Sequence, residues 1–313
     1  MCTAIVPFGD RLGDAIERVG TPILAGIDPR PEQLPPGFLD RYEPNLFGVA
    51  QAIGRFACEV VEIVAGRVAA VKFQSAFFEA YGVEGLRGLH TAIGRARERD
   101  LLVILDGKRN DIGSTAVAYA EGYLGRVPAG PEPDRPWGVD ALTINPYLGT
   151  DGVAPFVEVA RREGAGLFVL VKTSNASGGE FQDLIADGRP VYRHVADRLV
   201  GWAGPLVGRR GYSSVGAVVG ATYPEQLAEL RAAMPGVPIL VPGYGAQGGT
   251  ARDVAAAFDD RGHGAIVNVS RHLTFAYERP EYRAEPDWRR AVDRALDDAI
   301  ADLAANTPAG RLR

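Results

Sequence analysis

Apolar residues along the chain gather into eight short runs: Pro22–Asp28, Val68–Gln74, Leu101–Asp106, Ala141–Asn145, Leu167–Lys172, Val215–Gly220, Pro238–Pro242 and Ala265–Val269. Each is nearly continuous rather than alternating, which fits strands buried on both faces of a parallel sheet. Helical spacing fills the gaps between them. Leu46–Val64 sets Phe47, Ala50, Ile53, Ala57, Val60, Val61 and Val64 three and four residues apart, the stripe of an amphipathic helix. Pro224 stands before EQLAELRAAM as a first-turn proline.

Eight strands alternating with helices predict an α/β fold, a (β/α)8 TIM barrel, with a doubly wound open sheet as the rival. Residues 1–313 are expected to form a single domain. The Pro-rich stretch Arg126–Trp137 reads as a surface-loop insert, and a C-terminal helix is expected at about 288–304.

Composition narrows the function classes. With 46% apolar residues the chain can bury a large core. A net charge of −5 with no basic run argues against a nucleic-acid binder. Cys2 and Cys58 form neither a metal spacing nor a disulfide framework. No apolar stretch reaches the roughly 18 residues of a membrane span. The opening MCTAIVPFGDRLGDAI carries acids where a signal peptide is basic, so a cytoplasmic protein is expected.

One oddity of composition points to chemistry. Only three of the 34 basic residues are lysines, and Lys72, Lys108 and Lys172 all lie in or at the end of apolar runs. A lysine kept against an arginine bias suits a place that needs a compact or proton-donating ammonium. In a barrel the chemistry belongs at the C-terminal ends of the strands. Asp28, Lys72, Asp106, Lys108, Asn145, Lys172, Ser174, Asn175, Thr222, Ser270 and Arg271 all fall there.

The segment Asp106–Asp111 (DGKRND) directly follows a buried run. In extended backbone Asp106 and Lys108 emerge on the same face. Asp111 falls at the next helix start, where a carboxylate can cap amides. A solvated loop with such a cap is the plainer reading. Lysines and carboxylates crowded at one rim hold one another charged. Such an array can repel an anion at one point and donate a proton at another.

Gly243, Gly245 and Gly248 spell G-x-G-x-x-G. A dinucleotide fingerprint should follow the first strand and precede an acid by about 20 residues. Here the glycines follow the seventh strand, and Asn268 and Val269 occupy the later position. A phosphate site between the last two strands is the better reading, with Arg271 as a charged fork. Tight turns that need glycine are the alternative. The four histidines show no paired spacing, so no metal site is expected.

LLVILDGKRNDIGSTA resembles the D-x-K-x-x-D-I-x-x-T signature of orotidine 5′-phosphate decarboxylases, through Asp106, Lys108, Asp111, Ile112 and Thr115. AGIDP, AVKFQ, PGYGAQGG and VNVSR stand at the strands where that family has its other motifs. KFQSAFFEAYG and NPYLGTDG resemble the longer bacterial branch.

The resemblance implies decarboxylation of orotidine 5′-phosphate to UMP and CO2, the last step of de novo pyrimidine synthesis, without a cofactor. It implies that Lys72, Asp106, Lys108 and Asp111 form a Lys–Asp–Lys–Asp array in which Lys108 protonates C6. Asp28 would bind the ribose, and Ser174 or Asn175 the pyrimidine. Gln247 would bridge base and phosphate, with Gly248, neighbouring amides and Arg271 on the phosphate. Asp111 and Thr115 would reach the neighbouring subunit's site, so a homodimer is implied. Short members carry glycine where this chain has Ser270, and their loop after the fifth strand differs from KTSNASGGEF.

Three alternatives stand beside this. Mg²⁺-dependent 3-keto-L-gulonate 6-phosphate decarboxylases share D-x-K-x-x-D but carry a carboxylate in place of Lys72. A Schiff-base aldolase would use Lys172 or Lys108. A non-catalytic barrel would bind a phosphometabolite without turnover. Lys172–Glu180 and Gly243–Gly249 are candidate closing loops, and Lys172 itself has no role in the resemblance.

Overall fold

The computed structural model describes residues 5–245 and 248–312. Eight parallel strands close into a barrel in chain order: β1 (Ile23–Ile27), β2 (Ala70–Gln74), β3 (Leu102–Arg109) and β4 (Ala141–Ile144), then β5 (Gly166–Lys172), β6 (Val215–Val219), β7 (Ile239–Val241) and β8 (Ala265–Val269). The (β/α)8 expectation holds, because each run is apolar on both faces and is covered inside and out.

The strands differ from the sequence runs mainly at their ends. Asp28 and Asn145 lie just past β1 and β4, while Lys72 sits in the middle of β2 rather than at its end. β3 continues three residues beyond Asp106. Its register against β4 shifts between Leu105 and Arg109, then pairing resumes as Arg109 meets Ile144. Lys108 absorbs the irregularity with a left-handed backbone, φ +45°.

The larger helices are α1 (Phe8–Val19), α2 (Leu46–Val64), α3 (Gly82–Glu98), α4 (Gly113–Tyr123), α5 (Thr150–Glu163), α6 (Val191–Ala203), α7 (Pro224–Ala233) and α8 (Trp288–Asn306). α2 has the predicted bounds, with the Asn45 side chain accepting from the Gly48 amide at its start. It meets α3 where Gly54 faces Gly88, so closely that a Cβ on Gly54 would stand 2.8 Å from the Gly88 backbone. α8 runs two residues past the expected end, and its Trp288 joins Phe38, Phe56 and Tyr277 in an aromatic cluster over α2. α1 is an addition to the sequence reading, although Phe8, Leu12, Ala15 and Ile16 carry its helical spacing. Phe8 packs edge-on against Phe168 of β5, with ring centroids 6.0 Å apart.

Residues 126–137 form a loop pinched by a Val127–Asp134 bridge and anchored by Trp137 stacked on Tyr123. Among the described residues no helix is long and apolar enough to cross a membrane.

Candidate active site

Lys72 projects from β2 and is buried. Its Nζ lies 3.0 Å from Asp106 Oδ2 and 3.7 Å from Asp28 Oδ1. Asp106 is the hub. Its Oδ2 also accepts from Gln74 Nε2 at 3.0 Å, while Oδ1 accepts from Lys108 Nζ at 2.6 Å and Thr143 Oγ1 at 2.9 Å. Two cations and two neutral donors thus saturate one carboxylate. The Thr143 hydroxyl in turn accepts the Lys108 amide at 2.9 Å, tying the acid to the backbone of the lysine beside it.

Asp106 and Lys108 do meet, but not along a straight strand. The left-handed Lys108 and the register shift bring its ammonium back onto Asp106. Non-glycine residues adopt that backbone at a cost of roughly 1–2 kcal/mol. Arg109 props the kink from the other side. It donates to the Gly107 carbonyl at 3.0 Å and to the Tyr123 hydroxyl, and it pairs with Glu79.

Charge follows from this geometry. Burial by itself would raise the Asp106 carboxyl, but the ammoniums of Lys72 and Lys108 hold it well below the usual carboxylate range. Burial by itself would lower the Lys72 ammonium, and Asp106 and Asp28 outweigh it and push it above its ordinary value. The side chains of Asp28, Lys72, Asp106 and Lys108 thus follow one another as alternating acid and base along the rim.

Asp28 closes that chain at β1. Its Oδ2 accepts from the Ser270 hydroxyl, and Gly26 leaves the room for it: a Cβ there would lie 2.8 Å from Ser270 Cβ. Beyond its 3.7 Å ion pair with Lys72, Asp28 Oδ1 has no hydrogen-bond partner among the described residues, leaving a lone pair open to a ligand hydroxyl.

Asp111 and Thr115 stand apart. Asp111 makes no ion pair among the described residues, and its Oδ1 accepts only the next amide, Ile112 N–H, at 2.8 Å. The expected helix cap is therefore corrected. Ile112 occupies the cap position in extended backbone, leaving Asp111 one residue too far out to reach the first-turn amides. Thr115 is exposed in the first turn of α4.

After β5, Asn175 is committed to its own loop, accepting from Thr173 Oγ1 at 2.6 Å and donating to Ser177 Oγ at 3.2 Å. The Ser174 hydroxyl has no hydrogen-bond partner among the described residues, and its backbone rests against Gly220. Lys172 lies beneath this loop, fully buried and 2.5 Å from Asp183 Oδ1, so it is not presented to a substrate carbonyl.

Gly243, Gly245 and Gly248 have φ of 99°, 73° and 90°, so the loop after β7 needs glycine at each. Gly245 lies on His272, where a Cβ would stand 2.4 Å from Nδ1, which brings the loop beside Arg271 at the start of the next helical turn. The amides of Gly245, Gly248 and Gly249 bond to carbonyls of the same loop. Gln247 lies outside the described residues.

Gln74, Thr143 and Arg109 belong to the site although sequence reasoning did not single them out. A polar residue inside an otherwise apolar strand, as in AVKFQ and ALTIN, was the available signal.

A family model described as "Orotidine 5'-phosphate decarboxylase / HUMPS family" matches residues 22–285. The orotidine 5′-phosphate decarboxylase of Rhodopirellula baltica is 52% identical over 293 residues, covering 92% of this chain and 96% of its own. That of Deinococcus radiodurans is 43% identical over 261 residues, covering 82% and 85%. The structure of Leishmania donovani OMP decarboxylase superposes with a TM-score of 0.73 at 30% identity, covering 96% of this chain and 98% of that one.

Proposed function

Because the chain belongs to the orotidine 5′-phosphate decarboxylase / HUMPS family, we propose that it converts orotidine 5′-phosphate to UMP and CO2 as a cytoplasmic homodimer. The observation that carries the reading is the alternating chain Asp28–Lys72–Asp106–Lys108 at the barrel rim. The Mg²⁺-dependent sugar-phosphate decarboxylases of the wider superfamily are the rival reading, and the lysine at position 72, where the resemblance gives those enzymes a carboxylate, speaks against it. One contiguous core of strands and helices supports a single barrel domain.

The substrate carboxylate at C6 would face Asp106, whose ionised state is enforced by its two lysines. Repulsion there destabilises the bound anion and is relieved as CO2 departs. The bond between C6 and the carboxylate breaks with its electron pair left on C6. Lys108 then transfers a proton from Nζ to that carbon and is left neutral until it is reprotonated. Its exposed position and its tie to Asp106 suit a donor that must meet a ligand. Stabilisation is electrostatic and preorganised, so the step as written uses only protein groups.

Asp28 would accept a ribose hydroxyl through Oδ1, which no hydrogen bond occupies among the described residues. Ser174, whose hydroxyl is uncommitted, is assigned to the pyrimidine in preference to Asn175, whose amide is engaged. Gly248, Gln247 and Arg271 would hold the phosphate. Phosphate binding far from C6 supports orientation at the base, so a substrate lacking phosphate should lose rate as well as affinity. Asp111 and Thr115, without partners in their own chain's array, are assigned to the partner subunit's site.

The test follows the loss of orotate-band absorbance and identifies UMP and CO2, with and without excess EDTA. Turnover unaffected by EDTA is expected. UMP binding without turnover would defeat the enzyme assignment, and complete loss in EDTA would favour the Mg²⁺-dependent relatives.

A further inference from the structure

The third lysine is the one the chemistry above does not use. Lys172 ends β5 with a completely buried side chain. Its ammonium pairs with Asp183 and lies over the ring of Tyr223, 4.6 Å from the centroid, and that of Tyr192 at 5.5 Å. These partners come from three places: the excursion between β5 and α6, the first turn of α6, and the turn after β6.

A second layer closes the same excursion. The Thr173 amide donates to Gln182 Oε1 at 3.0 Å, and Gln182 Nε2 donates back to Thr173 Oγ1 at 2.7 Å. The segment between them is therefore pinned at its base by two adjacent cross-links. Ser174 is the first residue above them. Its backbone is pressed onto Gly220, where a Cβ would stand 2.8 Å from Ser174 Cβ, and the Gly220 amide donates to the Lys172 carbonyl at 2.8 Å.

The pair is asymmetric. Asp183 is half exposed and can be solvated if the excursion lifts away, whereas Lys172 cannot follow it. Lifting would strand a buried ammonium, which is costly, so the pair favours the seated loop. The aromatic faces fix the direction of the ammonium and with it the position of Asp183.

We propose that Lys172 is a positioning residue, clasping the excursion through Asp183 so that the Ser174 hydroxyl is aimed at the pyrimidine. This rests on the reading that Ser174 contacts the base.

A double-mutant cycle on kcat/KM for orotidine 5′-phosphate tests it. Lys172→Met, Asp183→Asn and Ser174→Ala should each lose roughly 10-fold or more, as expected for an aimed hydrogen bond to the reacting base. In the Ser174→Ala background, Lys172→Met or Asp183→Asn should cost less than about threefold further, because their effect passes through that hydroxyl. Additive losses, or single variants with unchanged kcat/KM, would overturn the proposal. If circular dichroism shows Lys172→Met unfolded, the milder Asp183→Asn carries the same cycle. Should the wild-type protein show no turnover, the decarboxylase reading fails on its own. Limited proteolysis within residues 173–190 then tests the clasp separately: Asp183→Asn should be cut faster than wild type, and equal rates would refute it.

Discussion

Replacing Asp106 by asparagine removes the negative centre of the array while keeping its shape. In the native protein Lys72 Nζ is 3.0 Å from this carboxylate, an attraction of about 5.5 kcal/mol at an effective dielectric of about 20. That attraction is offset by desolvation, and breaking a buried pair on one side typically costs about 3–5 kcal/mol. Asp28, 3.7 Å away, still partly compensates Lys72, so the lower end, about 3 kcal/mol, is expected. Lys108 is 45% exposed, and solvent screening leaves it little share of that figure.

The pH dependence has a definite sign. Asp106 is depressed in the folded state, so its stabilisation is complete above the unfolded carboxylate value of about 3.9 and fades as pH falls toward the folded value. Lys72 is raised, so its contribution is complete below its unfolded value of about 10.4 and fades only as pH rises through the folded one. The acid limb therefore reports Asp106. Urea unfolding of wild type and Asp106→Asn at pH 7, 4 and 3 should show a gap of about 3 kcal/mol at neutrality. Below about pH 4 it should narrow by roughly 1.4 kcal/mol per pH unit. A gap under about 0.5 kcal/mol at pH 7, or one constant through the acid limb, would refute the account of Asp106 as the array's anchor.

Thr143→Val removes both the donor to Asp106 and the acceptor of the Lys108 amide, so kcat should fall about tenfold and stability by about 1–3 kcal/mol. An unchanged kcat would show that the Lys108 kink holds itself. Lys108→Ala should lose turnover by about 10²–10⁴ while retaining UMP binding. Mixing it with Asp111→Ala subunits should restore about a quarter of wild-type activity if each site draws on two subunits. No recovery in a confirmed heterodimer would refute the shared site.

Much of the barrel could be read directly, because a strand buried on both faces must be apolar throughout and a helix on the outside must carry a stripe. Both are local requirements, so the runs and α2 were visible residue by residue. The rim chemistry was visible for a related reason: Lys72 and Asp106 are charged residues inside apolar runs, and Lys108 follows one closely. The resemblance to a known signature then supplied the roles proposed for them.

Contact geometry was not legible in this way. The extension of β3 depends on renewed pairing with β4, and the backbone of Lys108 depends on that pairing. Four donors converge on Asp106 from β2, β3 and β4, which no spacing within one segment encodes. Asp111 looked like a cap until the extended backbone of Ile112 placed it outside the helix.

The three lysines mark the division most clearly. Their scarcity and their apolar surroundings, properties of the chain alone, singled them out as buried or reactive. Their separation was a tertiary matter: Lys72 lies between two carboxylates, Lys108 at the open rim, and Lys172 under a folded-back loop against Asp183. Burial preference is written residue by residue, but an ion pair exists only where the closed barrel brings distant segments within a few ångströms.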